Sequence, residues 1–181
     1  MRFITAKKYF PLFFLCLVNS ICGCTESPIY RGGRLPAPRE RVKRVPDSEE
    51  KGLFSSPVYR LTRRRVSSWF GIRKRNNIKE FHKGIDIRAR YGEAVLASAS
   101  GEVEFTGRKS GFGRVIIISH GRGYHTVYAH LSAILCSEGG AVERGQRIGK
   151  AGRSGNATGV HLHFEIRKYS KALDPALFLD L

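Results

Sequence analysis

From Phe54 to the C-terminus, short apolar runs alternate with glycine-containing turns. Val95-Leu96-Ala97, Gly101-Glu102-Val103-Glu104-Phe105, Val115-Ile116-Ile117-Ile118 and Tyr124-His125-Thr126-Val127-Tyr128 are examples. β-Branched and aromatic residues dominate these runs, and their spacing predicts many short antiparallel strands. No segment has the sustained 3.6-residue periodicity of a long amphipathic helix. The expected fold over 54–181 is all-β: an antiparallel β-sandwich or open barrel of short strands, an ordinary size for one core at roughly 130 residues. Ser170-Lys171-Ala172-Leu173-Asp174-Pro175 reads as a turn before a short C-terminal piece.

The first 53 residues have a different texture. Met1-Arg2 and Lys7-Lys8 precede an apolar stretch, Phe10 to Val18, that is too short to span a bilayer. Ile21-Cys22-Gly23-Cys24 follows, so residues 1–24 read as a secretory signal peptide ending in a lipobox, with Cys24 the lipidated first residue. Cys22 stands where a small non-thiol residue is commoner. Residues 25–53, rich in Pro, Arg and Glu, read as a disordered basic linker between that anchor and the domain.

Charge and cysteine usage narrow the setting. Lys and Arg number 32 against 15 Asp and Glu, a formal net charge of +17, which reads either as a solvated basic surface or as a match for an anionic polymer partner: nucleic acid, anionic lipid or cell wall. Export removes nucleic acid from that list. Four cysteines occur, and Cys136 alone lies within the expected domain, so no intradomain disulfide can form there. Arg63-Arg64-Arg65 and Arg73-Lys74-Arg75 flank Trp69-Phe70-Gly71. They read either as a basic loop or as an electrostatic rim for an acidic wall polymer or anionic lipid.

The chemistry sits in three motifs. His161 and His163 flank Leu162 in a β-type run, so both point to one face of a strand while Leu162, Phe164 and Ile166 point into a core. His82 and Asp86 are four apart in Phe81-His82-Lys83-Gly84-Ile85-Asp86. Glycine and β-branched residues there disfavour a helix, and an even spacing along a strand puts both on one face. Imidazole and carboxylate suit zinc. With one of the two strand histidines they make three ligands and leave a fourth position open, the mark of a catalytic zinc site. His130 ends the run from Tyr124, where a side chain can reach a cleft. His120 and His125 read as surface or satisfied core residues.

These motifs, in this order, resemble the lysostaphin/LytM-type zinc metalloendopeptidases, peptidoglycan hydrolases of the duplicated hybrid motif fold. The resemblance covers most of the chain from about Phe54. It rests on Phe81 to Asp86, on Tyr124 to Leu131 and on Gly155 to Ile166, with Val160 where proline is common. It implies that His82, Asp86 and His163 bind zinc, and that His130 and His161 orient or deprotonate a water and stabilise the oxyanion. Asn156 and Thr158, before the last motif, would shape the groove. The implied activity is hydrolysis of peptide bonds in peptidoglycan stem peptides or cross-bridges, in the bacterial envelope, with the domain lipid-anchored and facing the periplasm or cell wall. A catalytically silent regulator of the same fold, which activates cell wall amidases and partners an amidase or divisome protein, is the alternative; such relatives usually lack a metal ligand, whereas all five positions are filled here. Val142 to Gly149 also resembles the small barrels of biotin and lipoyl carriers, but no lysine flanked by methionine sits at a hairpin tip.

Overall fold

The computed structural model describes residues 48–75, 77–179 and 181. A single helical turn, α1 (Ser48–Lys51), opens this region, and a 3-10 turn spans Arg63–Arg65. The first strands are β1 (Val66–Ser68), β2 (Gly71–Arg75), β3 (Ile78–His82), β4 (Ile85–Arg88) and β5 (Ala94–Leu96). Then come β6 (Gly101–Lys109), β7 (Gly113–Ser119) and β8 (Tyr124–Ile134). The last are β9 (Ala141–Val142), β10 (Arg147–Ala151), β11 (His161–Lys168) and β12 (Lys171–Leu173). Every pairing is antiparallel. The domain is all-β, as the apolar runs predict.

The main sheet runs β1-β4-β11-β8-β7-β6-β9. β8 is its hinge. Its first part pairs with β11 and β7, and its last residues pair with β10, which in turn pairs with β5. One core collects Ile85 and Ile87 from β4, Leu162, Phe164 and Ile166 from β11, and Val95, Ile148 and Ala151 from the β5–β10 pair. β7 shows why its apolar run does not alternate. Ile116 and Ile118 join that core, whereas Val115 and Ile117 pack with Val127 and Ala129 on the other face. A strand covered on both faces needs apolar residues at successive positions. β2 and β3 form a separate two-stranded ribbon.

The signal-peptide and lipidation readings, Cys24 included, and the linker up to residue 47 lie outside the described residues. The linker's C-terminal end is a correction, because residues 48–53 belong to the domain. Glu50 is buried, accepts a hydrogen bond from the Tyr124 hydroxyl, and pairs with Lys168 at 2.8 Å. Leu53 packs on the core, and Arg144 donates to the carbonyls of Gly52 (3.0 Å) and Leu53 (2.7 Å). A charged run reads as solvated because its partners stand far along the chain, as Tyr124 and Lys168 do here. Cys136 is a free thiol.

Candidate metal centre

β11 lies between β4 and β8, and this register assembles the site. His163 faces Asp86 on one neighbour and Ala129 on the other, and His161 faces Arg88. Asp86 alternates with the buried Ile85 and Ile87, so its carboxylate leaves the core face. His82 arrives differently from the even-spacing expectation. It ends β3 of the ribbon, while Asp86 belongs to β4 of the main sheet, so the two do not share a strand. The chain breaks at Lys83-Gly84 and folds His82 back over Asp86. Gly84 is required there, since a Cβ would lie 2.2 Å from the Phe164 carbonyl oxygen.

Three atoms converge. His82 Nε2 lies 3.1 Å from Asp86 Oδ1 and 3.1 Å from His163 Nδ1, and His163 Nδ1 lies 2.8 Å from Asp86 Oδ1. Each residue is held from behind. His82 Nδ1 donates to the Trp69 carbonyl at 2.8 Å, and His163 Nε2 donates to Glu165 at 2.9 Å. Arg73 Nη1 donates to Asp86 Oδ2 at 2.8 Å. Both imidazoles therefore spend one N–H outward and turn a lone pair inward toward a carboxylate oxygen. Three acceptors this close need a cation or a shared proton between them. Burial opposes protonation of His163, but hydrogen bonds to Asp86 and Glu165 raise its pKa. Burial likewise opposes ionisation of Asp86, but hydrogen bonds from His163 and His82 hold its carboxyl well below the usual carboxylate range. Zinc ligands at about 2.0–2.2 Å in a tetrahedral shell sit roughly 3.3 Å apart, close to the spacing seen here. Donor types, spacing and outward hydrogen bonds all fit a zinc ion.

Two further imidazoles face this triangle. His130 and His161 have ring centroids 4.7 Å apart, and His161 Nε2 lies 3.7 Å from Asp86 Oδ1. His130 owes its aim to a β-bulge. Between the pairs Arg114↔Leu131 and Ile116↔Tyr128, β8 carries one residue more than β7, and His130 takes up the excess in a left-handed conformation, φ 62°. Its Nδ1 donates to the Ser154 carbonyl at 2.8 Å, while His161 Nδ1 donates to the Gly159 carbonyl at 3.0 Å. In a neutral ring that bond leaves Nε2 as the acceptor. Burial lowers the His130 pKa to about 4, with the Ser154 hydrogen bond acting against it and the neighbouring His161 and His163 adding to it. A cleft of about 690 Å³ opens over the group, and Asn156 and Thr158 line it.

All five expected residues come together. His120 and His125 do not join them: His120 bonds Ser100 and Thr126, and His125 bonds Glu104. The basic-rim reading changes, because Arg73 turns inward to Asp86 and Glu80, and Arg65 is tied to Glu93 and to backbone carbonyls. Glu165 was legible and missed. It shares a strand face with His161 and His163, and an acid 1% exposed in a core strand calls for a partner. Arg73 and Ser154 left no signal, since they reach the site only through hairpin pairing and the bulge.

The model of one family, Peptidase family M23, matches residues 80–175. The chain belongs to peptidase family M23. The resemblance carried by the three motifs is thereby borne out. The M23 match takes in all five site residues and leaves Arg73 outside it. DD-carboxypeptidase/endopeptidase Mpg of Neisseria meningitidis serogroup B is 42% identical over 129 residues, which are 70% of this chain and 29% of that protein. The chain thus spans less than a third of that relative's length. A zinc-containing peptidase from Vibrio cholerae superposes with a TM-score of 0.61 at 32% identity, over 67% of this chain and 39% of that one. The catalytic domain of lysostaphin from Staphylococcus simulans gives 0.58 at 31% identity, over 64% and 91%.

Replacing Glu165 by Gln should weaken zinc binding roughly 10–100-fold in competition with a chelator; unchanged affinity would show that the outward hydrogen bond does not matter. For His130, ¹⁵N NMR at pH 5.5 should show a neutral ring protonated at Nδ1, and an imidazolium at that pH would contradict the burial argument. An unfolded imidazole takes up its proton near 6.5 and the folded one only near 4, so His130 withdraws stability as pH falls through that interval.

Proposed function

We propose that this M23 domain is a zinc-dependent endopeptidase hydrolysing peptide bonds in peptidoglycan stem peptides or cross-bridges, and so a cell wall remodelling enzyme. The observation that carries this is a three-ligand triangle facing two imidazoles whose Nε2 atoms are free to accept protons. In this reading His82, Asp86 and His163 hold the zinc. Bound there, zinc supplies Lewis acidity, which polarises a carbonyl and makes water a better nucleophile at neutral pH.

The remaining steps belong to the chain's own residues. His161 and His130 face the reacting centre with Nδ1 tied to a carbonyl, so neither ring can flip its tautomer. Either Nε2 can take a proton from the attacking water, and the resulting N–H can donate to the developing oxyanion or return the proton to the leaving amine. A base must begin neutral, and burial keeps His130 so. Because the Mpg relative is named for carboxypeptidase and endopeptidase activity, a stem peptide is the substrate to test first.

The sequence also supports a setting. A signal peptide over 1–24, lipid on Cys24 and a linker would place the domain in the bacterial envelope, membrane-anchored and within reach of the wall.

Defined muropeptides digested with the zinc-loaded chain, with mass analysis of the products, test the function. Cleavage of a peptide bond is expected, abolished by a chelator and restored by zinc. His163→Ala should lose both metal and hydrolysis. His130→Ala should keep about one zinc and lose roughly 10²–10⁴-fold in rate; loss of the metal there would overturn the division of roles. Zinc-loaded protein that leaves muropeptides intact but stimulates a cell wall amidase would replace this reading with the regulatory one.

A further inference from the structure

The charges around the metal cleft do not balance. Four cations line it, Arg73, Lys74, Lys83 and Arg88, together with the carboxylates Glu80, Asp86 and Glu165. Each carboxylate already has a protein cation. Arg73 pairs with Glu80 at 2.7 Å and with Asp86 at 2.8 Å, and Arg167 pairs with Glu165 at 2.6 Å. Among the described residues, Lys74, Lys83 and Arg88 have no carboxylate partner; the Arg88 side chain donates to the Arg64 carbonyl. All three are exposed.

All three belong to the β2–β4 part of the lining. Lys74 stands on β2, directly across the ladder from Lys79, a like-charge pair that disfavours the ribbon. Lys83 occupies the break between β3 and β4, next to His82. Arg88 shares the cleft face of β4 with Asp86 and lies opposite His161. The facing wall, from Gly111 and Phe112 to Asn156, Thr158 and Val160, carries no charge.

We propose that Lys83 and Arg88 form an anion subsite that takes a free carboxylate of the peptide substrate, with Lys74 adding to the field. Arg88 is one strand repeat from Asp86, about 6.6 Å, roughly the length of two extended residues. The carboxylate therefore sits within about two residues of the scissile bond. A cleft charged on one wall and neutral on the other also fixes which way an acidic peptide lies across the metal. This inference rests on the hydrolase reading for the position of the scissile bond. The affinity for acidic peptide rests only on the charges.

The test uses the zinc-loaded full chain and two synthetic pentapeptides of stem composition, one with free carboxylates and one with every carboxylate amidated. Binding is read by calorimetry and turnover separately by kcat/KM. The acidic peptide should bind roughly three- to tenfold tighter, and the ratio should shrink as salt rises. In the Lys83→Met/Arg88→Met double variant the ratio should fall to about one, and Lys83→Glu should turn it toward the amidated peptide. Lys150→Met, an exposed lysine on β10 away from the cleft, should keep it. Equal binding of the two peptides by the unaltered chain, or a double variant that keeps the ratio, overturns the subsite. If both peptides are cut at equal kcat/KM and bind equally, the hydrolase reading stands and the subsite falls. If neither is cut but the binding preference persists and the double variant removes it, the subsite stands and the hydrolase reading falls.

Discussion

The pairing of His163 with Asp86 across β11 and β4 is the constraint on which the rest depends. It brings an imidazole nitrogen and a carboxylate oxygen to 2.8 Å in a place where both act as acceptors once the ring's other nitrogen has bonded Glu165. Such a contact persists only with a proton or a metal ion between the two. The pairing is fixed by burial on the opposite face. Leu162, Phe164 and Ile166 are fully enclosed, and a slip of one residue would send His161, His163 and Glu165 into the core. The apolar half of the strand thus sets the position of the polar half.

Around that pair the fold uses two departures from regular strand geometry. The break at Lys83-Gly84, passable because glycine clears the Phe164 carbonyl, lays the end of the ribbon over the main sheet and delivers His82. The bulge in β8, with its left-handed residue at His130, turns a side chain that regular alternation would aim elsewhere. One irregularity completes the triangle of His82, Asp86 and His163, and the other supplies an imidazole beside it. Outward hydrogen bonds to Trp69, Glu165, Ser154 and Gly159 then fix every tautomer before substrate arrives.

What could be read from the sequence divides along the same line. β11 was legible, because histidine and apolar positions alternate without interruption and the period of two gives both faces at once. The all-β class was legible from β-branched runs such as Val115 to Ile118. The even spacing of His82 and Asp86 pointed to the right neighbourhood for the wrong reason, since two strands rather than one carry them. The bulge left no mark in composition, because a left-handed histidine is set by pairing with β7 and β10 rather than by local preference. Arg73 looked like surface charge, and its role depends on a ribbon register that places Glu80 across from it. Glu50 looked like linker because its partners stand 74 and 118 residues away.

Electrostatics ties these parts together. Arg73, Glu165 and Arg167 are consumed in orienting Asp86 and His163, which leaves the cleft's net charge to Lys74, Lys83 and Arg88. The most direct measurement is the anomalous scattering of zinc in crystals of the loaded protein. The peak should lie equidistant, at about 2.0–2.2 Å, from His82 Nε2, Asp86 Oδ1 and His163 Nδ1, with His130 and His161 outside the coordination shell. A peak coordinated by His130 or His161 in place of any of the three would contradict the account.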